Sequence, residues 1–127
     1  MNPEKVVFGF FIVLALTLNF GFVIGDIDDP GHHHKWELFA VVVVNLIATV
    51  LKFGDRSQLG ALLLATSLVA MLQLVAATLV WVIAVYTTPE GMTGSIMASI
   101  VSLAAGAVIA NVISVVLLVI ETFLLRR

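Results

Sequence analysis

Four long apolar stretches, near residues 5–25, 36–53, 58–87 and 93–124, alternate with short polar breaks along the chain. Gly25 to Gly31 with Pro30 forms the first break, Gly54-Asp55-Arg56-Ser57 the second and Thr88-Pro89-Glu90-Gly91 the third. Such continuous runs do not separate helix from strand by periodicity. Their length, and the need to satisfy every backbone group inside lipid, selects helices. The last stretch carries no ionisable group from Ile96 to Ile120. At 1.5 Å of rise per residue it exceeds a bilayer core of about 30 Å.

Within that stretch Gly94, Ala98, Ser102, Gly106, Ala110 and Ser114 recur every fourth position. Small residues at this spacing let helices approach closely in lipid, yet they drift by about 40° per step, so one straight neighbour does not meet all six. At about 100° per residue, Ser95, Ser99, Ser102 and Gly106 share one face, and Ala104, Ala107, Asn111 and Ser114 cluster on another. Two such faces imply two sets of partners, one of them a second copy of the chain. The third stretch shows a seam of Thr66, Ala70, Gln73, Ala77 and Ala84, and the second a polar stripe of Asn45, Thr49 and Lys52.

The composition agrees with this pattern: 61% of the 127 residues are hydrophobic, and the mean hydropathy is +1.19. The expected fold is an all-α integral membrane protein, residues 1–127 forming one domain of four transmembrane helices, assembled as a homo-oligomer. Lys5, Lys52, Arg56, Arg126 and Arg127 fall on one side and Lys35 on the other, so both termini are expected in the cytoplasm. Trp36, Trp81 and Tyr86 then gather at the outer interface. The expected location is a bacterial inner (plasma) membrane, with the first stretch retained as a span.

Each stretch carries one side-chain amide: Asn19, Asn45, Gln73 and Asn111. Counting from the ends puts Asn19 and Gln73 in the outer half, Asn45 near the middle and Asn111 toward the inner half. Such amides cross-link helices or line a pore. No Asp, Glu, Lys, Arg or His lies between the ends of the spans, which disfavours proton-coupled exporters of the small multidrug-resistance type, intramembrane haem proteins and voltage sensors. The absence of cysteine removes disulfides and thiol chemistry. No nucleophile and base pair can be assembled, so an enzyme is not expected. Thr49-Val50-Leu51-Lys52-Phe53-Gly54-Asp55 superficially resembles a potassium-channel filter. It lacks the first filter glycine, has an extra residue, and places Lys52 among the coordinating carbonyls.

The first break concentrates Asp26, Asp28, Asp29, His32, His33, His34 and Glu37. Oxygen and imidazole donors at this density suit a divalent cation, the one cofactor the sequence admits, or form an electronegative mouth that gathers cations. The function expected is a small oligomeric channel for small ions, cations foremost, lined by Ser95, Ser99, Ser102, Gly106, Asn111, Ser114, Asn45, Gln73 and Asn19. Its partners are copies of itself, the lipid bilayer and small inorganic ions, with no nucleic acid. Two other readings stay open: a non-conducting accessory or scaffold subunit, and a divalent-metal-sensing membrane protein.

Overall fold

The computed structural model describes residues 3–26, 28–54 and 57–125. Arg56, Arg126 and Arg127, on which the orientation rests in part, and Asp55 lie outside the described residues. Among the described residues the chain forms four helices, α1 (Pro3–Val23), α2 (Lys35–Lys52), α3 (Gln58–Thr87) and α4 (Gly94–Leu125), with a 3-10 turn at Pro30–His32.

The helix ends follow local chemistry. Pro3 opens α1, where a missing N–H costs nothing, and Gly25 follows its end at φ +107°, a conformation that favours glycine. Ser57 caps α3 by accepting from the Gly60 N–H at 2.9 Å, and Thr93 does the same for Ile96 before α4 at 3.2 Å. Gly54 at φ +94° and Gly91 at φ +67° turn the other two connections.

Each helix flanks two others: α1 lies against α2 and α4, and α3 against α2 and α4. The result is an up-down-up-down bundle, α1 and α3 occupying one diagonal and α2 and α4 the other. α1, α3 and α4 are long and apolar enough to cross a membrane, which marks the chain as a membrane protein. α2 is shorter and carries Lys35, Glu37 and Lys52 near its ends.

Two apolar clusters fill the bundle. Phe22, Leu38, Val41, Leu74, Met97 and Ile100 belong to the one beneath the first and third connections. Phe8, Ile12, Ala48 and Leu63 form the other, toward the start of α1. Buried polar side chains lie between them: Asn45, Thr49, Ser67, Asn111 and Ser114. The stripe of Asn45, Thr49 and Lys52 therefore faces inward. Lys52 does not reach away from the bundle but lays its ammonium 4.3 Å from the centroid of the Phe8 ring.

Candidate functional site

The interior polar belt is built by all four helices. On α4, Asn111 donates through Nδ2 to Oδ1 of Asn45 on α2 at 3.0 Å, with both residues fully buried. Three residues further along α4, Ser114 shares a 2.6 Å hydrogen bond with Thr66 of α3. Thr49 turns its hydroxyl back to the Asn45 carbonyl at 2.8 Å. One level away, the Asn19 amide, in the orientation that satisfies both of its ends, donates to the Ala104 carbonyl at 3.0 Å and accepts from the Val108 N–H at 3.2 Å. It thus grips the α4 backbone from α1.

Asn45 and Asn111 stand at one level, which corrects the position obtained by counting from the ends. With its 32 residues, α4 is much longer than the 18-residue α2. Asn45 lies 10 residues beyond the start of α2 and Asn111 17 beyond the start of α4, so equal counts from the helix ends do not correspond to equal depth.

On α3, Gln73 lies against Gly106 of α4. A Cβ on Gly106 would stand 2.6 to 2.8 Å from the atoms of that amide. A side chain at position 106 would displace the amide, which is the far end of a flexible side chain. The belt is not fully paired: Asn45 Nδ2, Ser67 Oγ, Gln73 Oε1 and Asn111 Oδ1 have no hydrogen-bond partner among the described residues. Each such buried group costs about 1–3 kcal/mol, so the centre of this bundle is less stable than an apolar one of the same shape.

Ser95, Ser99 and Ser102 occupy a different surface. All three are exposed on the outside of the bundle, and the Ser99 hydroxyl turns toward the Ser95 carbonyl at 3.4 Å. Ala104, Ala107, Asn111 and Ser114 are buried inside and the three serines look out, whereas Gly106, expected on the serine face, lies half-buried against Gln73 of α3. One pathway inside a single bundle does not collect both sets. Sequence reasoning passed over Ser67, which adjoins Thr66. A helix in a square bundle has two neighbours about 90° apart, so adjacent positions 100° apart can both be interior.

The structure also divides the acidic and histidine loop. Asp26, Asp29 and His32 bring one ligand atom each within 4.8 Å of one another, all three exposed. The Asp26 N–H donates to His32 Nδ1 at 2.9 Å, and His32 Nε2 lies 3.3 Å from Asp29 Oδ2. Two carboxylates and an imidazole nitrogen make a donor set suited to a divalent cation, which would replace the proton on Nε2. His33 turns inward instead, with Nδ1 2.5 Å from the Phe22 carbonyl and Nε2 2.8 Å from that of Asp26. Asp28 is exposed and lays its backbone carbonyl over Gly94, His34 is exposed at the start of α2, and Glu37 approaches Gly21.

Trp36, Trp81 and Tyr86 line one 330 Å³ cavity between α2 and α3, near the ends anticipated for an interface belt. Residues 32–122 match a family described as a family of unknown function (DUF6394). No curated protein and no solved structure matches the chain.

Proposed function

The chain belongs to this family of unknown function, and from its geometry we propose that it is a small oligomeric membrane channel passing small ions. The observation that carries the reading is the exposed serine face of α4, set against the full burial of Asn19, Asn45 and Asn111 inside one copy. Copies meet through that face, so Ser95, Ser99 and Ser102 line the shared axis, while the amides hold each subunit together. Further along the same face stand Ile109 and Ile113, both exposed. An apolar ring beneath a hydroxyl-lined entry opposes conduction by dewetting and serves as the gate.

In this reading α2 is the fourth span and both termini are cytoplasmic, in a bacterial inner membrane. The end bearing Asp26, Asp28 and Asp29 faces out and favours cations by concentrating them. The protein performs no covalent chemistry.

Reconstitution into liposomes tests the proposal. Ser102→Leu lies outside the bundle and is expected to reduce ion flux without altering the unfolding temperature. The chain has no native cysteine, so Ser99→Cys supplies a unique cross-link between copies. Impermeable vesicles together with no Ser99→Cys dimer would overturn it.

The same face equally suits a helix of a foreign protein, which supports the accessory-subunit reading; a stoichiometric hetero-cross-link from Ser99→Cys would select it. The Asp26, Asp29 and His32 cluster is the observation that favours metal sensing.

A further inference from the structure

At the end of the bundle where α2 begins and α3 finishes, the groove of about 330 Å³ between these helices changes in polarity along its length. Lys35, Trp36 and Tyr86 stand nearest the helix ends and are exposed. Further along α3, Thr78 spends its hydroxyl on the Leu74 carbonyl at 2.9 Å, and Phe39 and Val82 keep the wall apolar. Among the described lining residues Lys35 is the one charged side chain. Its ammonium lies 5.4 Å from the centroid of the Trp36 ring, a contact that engages the charge and is compatible with N–H donation to an acceptor. Two acids of this end sit on other faces: Glu37 approaches Gly21 of α1, and Asp28 lies over Gly94 of α4.

We propose that this groove binds a phospholipid with a net negative headgroup, of the phosphatidylglycerol class. Lys35 meets the phosphate, and the upper part of one acyl chain lies along Phe39, Trp81 and Val82. Charge complementarity carries the choice. The lining offers an ammonium and two indole N–H groups, which only donate, so the head it receives must accept. No lining carboxylate is present among the described residues to take the ammonium of an ethanolamine headgroup. An organic cation seeking aromatic faces would meet Lys35 already over the Trp36 ring. The volume stands at the small end of ligand cavities and suits part of a lipid, not the whole of one. The groove runs between α2 and α3, whereas Ser95, Ser99 and Ser102 belong to α4. The inference therefore does not depend on what the assembly conducts.

Both tryptophans of the chain line the groove, so Trp36→Phe leaves Trp81 as the single indole reporter. In phosphatidylcholine vesicles, phosphatidylglycerol with brominated acyl chains is expected to half-quench Trp81 at about threefold lower mole fraction than brominated phosphatidylcholine, the value of one exposed charge pair. Lys35→Gln should remove this preference and Lys35→Arg should retain it. Phe20→Trp in a Trp36→Phe, Trp81→Phe background puts the reporter on α1 at the same end, 55% exposed, where no preference is expected. Equal quenching by the two lipids, a preference unchanged in Lys35→Gln, or the same preference at position 20 would overturn the assignment. So would quenching that vanishes as the protein-to-lipid ratio rises, the mark of a second copy covering the groove, or a preference abolished by inorganic phosphate at constant ionic strength, the mark of a free-anion site.

Discussion

Asn111 and Asn45 join the two helices on one diagonal of the bundle, α4 and α2, through a 3.0 Å hydrogen bond between fully buried amides. Diagonal helices in a square bundle otherwise meet only through long interior side chains. This bond therefore ties the relative level of α2 and α4 directly. Asn111→Ala is expected to destabilise the protein by about 1 kcal/mol, the usual value of an interhelical hydrogen bond in lipid. Asn45→Ala and Asn111→Ala combined should cost less than the sum of the single changes, because each already breaks the same bond. A double-mutant cycle on unfolding in mixed micelles measures it, and strict additivity would contradict the pairing.

Two glycines of the α4 repeat should respond differently to a methyl group. At Gly94 a Cβ would stand 2.7 Å from the Asp28 backbone carbonyl oxygen, and at Gly106 it would meet the Gln73 side-chain amide. A side-chain end can swing aside; a backbone carbonyl moves only with its loop. Gly94→Ala should thus lower the unfolding temperature more than Gly106→Ala, for which about 1 kcal/mol is expected. Adding Gln73→Ala to Gly106→Ala should restore most of that loss.

Among three consecutive histidines, His33 alone is buried, bridging the Phe22 and Asp26 carbonyls. A neutral ring donates to one of them and a protonated ring to both, so either form ties the end of α1 to the loop. His33→Ala leaves the pair without this partner and should cost about 1–3 kcal/mol, with faster amide hydrogen exchange across residues 24–34. His34→Ala, at an exposed position, should leave both quantities unchanged.

If the loop takes a divalent cation, the ligands are those that the fold brings together. Asp29→Asn or His32→Ala should then weaken Zn²⁺ binding by about 10-fold or more, whereas Asp28→Asn and His34→Ala should not. Calorimetry on the purified protein decides this; absence of heat with Zn²⁺ and Ca²⁺ would make the loop a solvated turn.

The chain order alone determined that there are four helices, where their breaks fall, and that α4 carries two distinct polar faces. Lipid and hydrogen bonding leave a continuous apolar run little other choice, and the helical angle per residue sorts side chains around one axis without reference to anything else. The tertiary structure decided which face of α4 turns inward, that Asn111 meets Asn45, that Gln73 rests on Gly106, and that His33 faces the bundle while His34 does not. Those outcomes depend on the axial offset and rotation of one helix against another. These quantities are set by packing between residues far apart in sequence, and angular periodicity carries no information about them.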